Sequence, residues 1–271
     1  MNETIATGLH LPGGLVALPD GRIALVEMDH TRRGLKLFDT SGAHREVCRI
    51  GGRPTGIAID GDGCFWITDG PEHSLVRLSP QGRVLQVIEG GADGSFLHPN
   101  DLAFGPDGLL YMTDSGIRTA DLLEGGHIHP DFFKAAYNGC VYQIDPAEGR
   151  VIRVLAAGLL LANGIAFSAD GLLYYSETLT GKIHRQIVGG RQEMFAQSMT
   201  SPTVNALRGP AGIAFDRSGV LYCAMYGLGE ISLVDTEGRM AGHIRTNGAR
   251  PGKIAFTVDG KHLLVSEQDN G

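Results

Sequence analysis

Two asparagines, Asn100 and Asn163, hold the same place in two similar stretches, Pro99-Asn100-Asp101-Leu102 and Ala162-Asn163-Gly164-Ile165. A side-chain amide is a neutral oxygen donor suited to a hard divalent cation or a polar substrate, although asparagine also caps turns by bonding to nearby backbone. Four acids, Glu27, Asp69, Asp114 and Glu177, each follow a turn-closing glycine by six residues. Such acids can charge a cation site, move protons, or accept backbone hydrogen bonds at a strand end. We take Glu27 with Asn100 and Asn163 as candidate cation ligands, and Asp114 and Glu177 as candidate acid–base groups. His98 directly precedes Pro99-Asn100. An imidazole there is a plausible base near neutral pH, with an exposed loop histidine as the alternative. His127, His129 and Asp131 form a weaker set, of which His129 is the candidate substrate contact.

The elements that must position these groups come from a repeat. Six segments share a turn, a short apolar strand and a turn ending in glycine: they open at Pro12-Gly13, Pro54-Thr55, Pro99-Asn100, Ala162-Asn163, Pro210-Ala211 and Pro251-Gly252. They close at Gly21, Gly63, Gly108, Gly171, Gly219 and Gly260, eight residues after each second position. A closing glycine accepts the positive φ of a tight hairpin tip. The strands before the tips (GIAID, GIAFS, KIAFT) are apolar enough to be buried on both faces, and more polar strands such as SLVRLSP and RVLQVIEG follow. Four strands per unit, grading from buried to exposed, describe a propeller blade. The predicted fold is therefore all-β, one domain over residues 1–271, a six-bladed β-propeller with four-stranded blades. Its last blade is expected to be closed by the N-terminal TIATGLHL strand. The side chains at the second positions, Gly13, Thr55, Asn100, Asn163, Ala211 and Gly252, should converge on the axis and leave a cavity, making Thr55, Asn100 and Asn163 candidate substrate contacts. The third unit carries an insertion over residues 116–138, expected to cover that cavity as a lid.

Composition narrows the function. Forty glycines in 271 residues are about twice the usual share and fit a chain of many turns. A formal charge of −7 without a basic cluster argues against a nucleic-acid partner, and no apolar run suggests a membrane span. The start MNETIATGLHLPGG does not read as a secretory signal, and Cys48, Cys64, Cys140 and Cys223 form no CxxC, so a cytoplasmic protein with reduced thiols is expected. Trp66 reads as core. Phe132 and Phe133 read as a pocket wall or a loop anchor, and Arg32-Arg33 as solvated or anion-facing.

The stretches HPNDLAFGPDGLLYMTDSG, LANGIAFSADGLLYYSETLTGKI, RPTGIAIDGDGCFWITD and GPAGIAFDRSGVLYCAMYG resemble the gluconolactonase and regucalcin (senescence marker protein) superfamily of six-bladed propellers. The likeness covers all six repeats. It implies a hydrolase that opens a small or sugar-like lactone with one axial divalent metal, calcium, zinc or magnesium. In that superfamily the ligands are a Glu in the first repeat, two middle Asn residues and an Asp in the fifth repeat that also serves as base. Asn100 and Asn163 match the two Asn ligands, whereas Gly13 stands in place of the Glu and Ala211 in place of the Asp. Losing both carboxylates should weaken a dication site strongly. A lactonase-like hydrolase with an altered axial site is thus expected. Two alternatives stay open: a metal-independent propeller enzyme of the strictosidine synthase type, performing an addition, elimination or cyclisation, and a non-catalytic propeller that binds a small ligand or a protein.

Overall fold

A computed structural model describes residues 2–29, 31–92, 94–199 and 206–269. Among these, five antiparallel sheets have four strands each in sequential order, and a sixth, Pro251–Phe256 with Leu263–Glu267, has two. The innermost strands are Pro12–Ala17, Pro54–Ile59, Pro99–Phe104, Ala162–Phe167, Gly209–Phe215 and Pro251–Phe256. Each packs on the next, and the last packs back on the first, which makes a closed ring. All six tip glycines adopt φ between +71° and +87°, the conformation the repeat requires of them.

The apolar runs are buried between blades. Ile57, Phe65 and Ile67 of the second blade join Val26 and Leu35 of the first in one cluster, and Trp66 is sealed against Leu102, Leu110 and Met112 of the third. Hydroxyls just before the strand-end acids stitch neighbouring blades: Thr68 Oγ1 donates to the Asn100 carbonyl at 3.0 Å and Ser176 Oγ to the Ala211 carbonyl at 2.8 Å. Gly164 allows this close approach, since a Cβ there would sit 2.2 Å from the Ala211 carbonyl oxygen.

The expected closure by the N-terminus is corrected. Residues 2–9 contain no strand, and the last sheet keeps two strands among the described residues. Gly8 takes φ +75°, which breaks an extended run. Ala6 and Leu9 instead pack against Leu15, Leu25, Phe38 and Leu264. The insertion folds as a short helix Thr119–Leu122, a small hairpin of Leu123–Glu124 with His127–Ile128, and a 3-10 turn Phe132–Lys134. Ile117, Leu122 and Phe132 anchor it to Leu161, while Phe133 stays exposed.

Candidate functional site

Each inner strand carries a register shift at its start, between Pro12 and Leu15, Pro54 and Ile57, Pro99 and Asp101, Ala162 and Ile165, Pro210 and Ile213, and Pro251 and Ile254. In a regular strand successive side chains face opposite ways, but a bulge re-aims them. Side chains from the second and the third position of the repeat therefore both reach the ring centre. The third positions are Gly14, Gly56, Asp101, Gly164, Gly212 and Lys253.

Lys253, from the sixth repeat, extends across the ring to the third and fourth. Its Nζ donates to Asn100 Oδ1 at 2.8 Å and Asn163 Oδ1 at 2.8 Å, and pairs with Asp101 Oδ2 at 3.0 Å. The ammonium has three N–H groups and these are three acceptors. The amides are held in turn: Asn100 Nδ2 donates to Ser115 Oγ at 2.8 Å and Asn163 Nδ2 to Thr178 Oγ1 at 3.2 Å. Those hydroxyls donate to the carbonyls of Ala162 and Pro210 in the following blades. Both amide oxygens are thus fixed toward the lysine. Burial pushes the Lys253 pKa down from the usual lysine value, and the Asp101 carboxylate opposes that shift.

Lys253 lines two cavities. One, of about 260 Å³, runs along the inner strands among Ile57, Leu102, Phe104, Ile165 and Ile213. The other, of about 100 Å³, lies toward the strand starts and is covered by Leu122, Leu123 and Ile128 of the insertion. Among the described residues this upper chamber is lined by Arg53 and Lys253 but by no Asp or Glu. The Arg53 side chain makes a long bond, 3.4 Å, to the Gly126 carbonyl of the insertion.

Of the residues singled out from sequence, Asn100, Asn163, Thr55 and His98 line the upper chamber. Thr55 Oγ1 bonds to Thr68 Oγ1 at 2.9 Å and to the Pro99 carbonyl at 3.0 Å. His98 is buried, its Nδ1 3.3 Å from Thr119 Oγ1. Burial, reinforced by Arg53 and His73, pushes its pKa down to about 3. It is a neutral imidazole at physiological pH.

The strand-end acids do not line the chamber and are engaged elsewhere. Asp114 accepts the backbone N–H groups of Leu97, His98 and Gly116. Glu177 accepts the Leu160 N–H and bonds His184 Nε2 at 2.8 Å, while Gln192 donates to the other ring nitrogen. Glu27 accepts the His10 N–H and pairs with buried Lys36 at 2.6 Å. Asp69 and Glu267 bind the N–H groups of Arg53 and Arg250 in the same manner. Each acid thus pins the loop that enters its own blade's inner strand. His129 lies in the insertion, away from the chamber, its Nδ1 accepting from the Asp131 N–H.

Asp101, Lys253 and Arg53 are the functional candidates that sequence reasoning missed. The available signal was a departure from the repeat: four third positions are glycine, and the two exceptions carry opposite charges in repeats three apart.

The superfamily's divalent metal does not fit these residues. The two amide oxygens that would coordinate it accept from an ammonium, which would repel a dication. Met28 stands against Gly13, its Cγ 3.0 Å from where a Cβ would be, so Met28 side-chain atoms fill the place of the first-repeat Glu. Among the described residues no three His, Cys, Asp or Glu side chains come together to hold a metal ion. The four cysteines are free thiols, and no helix of the described residues is long and apolar enough to cross a membrane.

Comparison with known proteins supplies the context. A family profile described as the SMP-30/Gluconolactonase/LRE-like region matches residues 90–268. A gluconolactonase of Zymomonas mobilis is 26% identical over 88% of this chain and 68% of its own length. A strictosidine synthase-like protein of Arabidopsis thaliana is 29% identical over 66% of this chain, which spans only 46% of that relative. Among solved structures, a calcium-binding regucalcin from Agrobacterium tumefaciens superposes with a TM-score of 0.76 at 20% identity, covering 98% of this chain and 85% of its own, a likeness of fold.

Proposed function

Because this chain belongs to the SMP-30/gluconolactonase/LRE-like family of propellers, we propose that it is a lactonase-like hydrolase whose upper chamber takes a small lactone. The observation that carries this reading is a covered chamber lined by two cationic side chains, Arg53 and Lys253, the latter paired with Asp101 behind it, and by no carboxylate among the described residues. Ester opening builds negative charge on the carbonyl oxygen, and preorganised positive charge in a water-poor site favours that transition state over the neutral ester. Arg53 is the group with N–H donors to spare for that oxygen. His98, neutral on the same wall, accepts a hydrogen bond from the attacking water, whose proton passes to the ring oxygen that leaves as the acyl–oxygen bond breaks. A chamber of about 100 Å³ is smaller than typical ligand sites of ~300–1,000 Å³. The insertion therefore acts as a lid that must lift off Arg53 to admit substrate and close to exclude bulk water.

The test is a panel of aldonolactones and aliphatic lactones assayed with and without chelator. Turnover that chelator leaves intact, and that Arg53→Met lowers at least ~100-fold with the fold retained, is the expected result. Failure to open any lactone would reject the hydrolase. The low pKa of His98 and the lack of a carboxylate among the described residues of the wall favour one second reading, a propeller that binds a small organic anion without turning it over. Saturable binding of an aldonate by a chain inactive on every lactone would support it.

A further inference from the structure

We infer that the Lys253 side chain is the resident axial cation of this propeller, a covalently attached replacement for the divalent ion of its relatives, and that removing it converts the axis into a divalent-cation site. The inference concerns cation binding and holds whichever small molecule the chamber takes.

Three observations carry it. First, the acceptors around Nζ are the kind that bind a hard cation: two amide oxygens and one carboxylate oxygen, all within 3.0 Å. Second, both amides are oriented by bonds at their Nδ2 atoms that do not involve the lysine, through Ser115 and Thr178 to the carbonyls of the next blades. The oxygen cradle is thus built by the ring itself and should outlast removal of the lysine. Third, Asp101 and Lys253 are the only two of the six third positions that are not glycine, and they pair with each other. One repeat supplies the charge and the opposite repeat its counter-charge. A dication would sit where Nζ sits and face the same three oxygens, with water completing its coordination.

Lys253→Gly tests this with a residue that four other repeats already carry at that position. The wild-type chain, titrated with calcium and with zinc by calorimetry and analysed for bound metal, should hold no stoichiometric ion, and its melting temperature should be unchanged by chelator. Lys253→Gly should bind one calcium or zinc ion per chain and melt higher as that ion is added, as mass action requires of a ligand that binds only the folded state. The double variant Lys253→Gly/Asp101→Asn should bind at least tenfold more weakly. A stoichiometric, chelator-sensitive ion in the wild-type chain would overturn the inference, as would a folded Lys253→Gly chain that ignores both ions at millimolar concentration. If Lys253→Gly folds only when cation is supplied, the inference stands. If it folds neither with nor without cation while Lys253→Met folds with an unaltered melting temperature, positive charge at the axis is dispensable and the inference fails.

Discussion

Two groups of charged side chains, one recurring around the ring and one confined to the third and sixth repeats, serve different ends. At the ends of the second strands an acid recurs in five of the six repeats, Glu27, Asp69, Asp114, Glu177 and Glu267, and each receives backbone N–H groups from the loop entering its own inner strand. At the third position of the inner strands, charge occurs twice, as Asp101 and Lys253, and the two meet at the centre of the ring. What recurs in five of the six blades solves a problem common to them, the unpaired backbone of an entering loop. What occurs once, against a background of glycine, serves the single place where all blades converge.

The comparison breaks most visibly at the axis. Lys253→Met leaves the Asp101 carboxylate largely buried without its partner, and losing one member of a buried pair costs about 3–5 kcal/mol. Chemical denaturation should report a loss of that order in metal-free buffer, much of it recovered when Asp101→Asn is added. A loss confined to a few tenths of a kcal/mol would mean that the axial pair is no different from a surface one.

A second effect, next in size, separates the chamber wall from the strand-end acids by pH. His98 has a folded-state pKa of about 3 against an ordinary 6.5, so between those values the unfolded chain takes up a proton that the folded chain refuses. Its contribution to stability is complete above pH 6.5 and is lost progressively as the pH falls toward 3. Glu177 behaves differently: burial raises its pKa, but the bonds from His184 and Leu160 prevail and hold it below the ordinary 4.5. Its stabilisation is present above 4.5 and fades only as the pH falls below that. Melting curves should therefore begin to decline below pH 6.5, and His98→Gln should delay the onset toward 4.5. An unchanged onset in that variant would assign the upper limb to another group.

The strand-end acids should give the smallest change. Asp114→Asn cannot accept all three N–H groups of Leu97, His98 and Gly116 as the carboxylate does, and an unsatisfied buried donor costs about 1–3 kcal/mol. Denaturation should show that loss while turnover per folded molecule stays within about twofold of wild type. Abolished turnover in a fully folded Asp114→Asn chain would restore it to the proton-transfer role that its place in the sequence suggests.

The propeller was legible because its repeat is a physical necessity: a tip glycine at positive φ and a doubly buried strand recur wherever an inner hairpin does. Asn100 and Asn163 were legible for the same reason, as second positions facing the axis. Lys253 and Asp101 were marked only as the two departures from glycine at the third position, and strict alternation, which turns neighbouring side chains to opposite faces, gave no reason to aim them at the axis without the bulge. The unpaired N-terminus escaped too, since TIATGLHL has strand-like composition and only Gly8 hints that the chain turns left-handed there.

The most direct measurement is a crystal structure of the wild-type chain grown in millimolar calcium, with anomalous scattering recorded at the ring centre. Continuous density from the Lys253 backbone to a nitrogen within hydrogen-bond reach of Asn100, Asn163 and Asp101, with no anomalous peak, is the expected result. A separate anomalous peak between the two asparagine oxygens, with Lys253 turned away, would contradict the account at its centre.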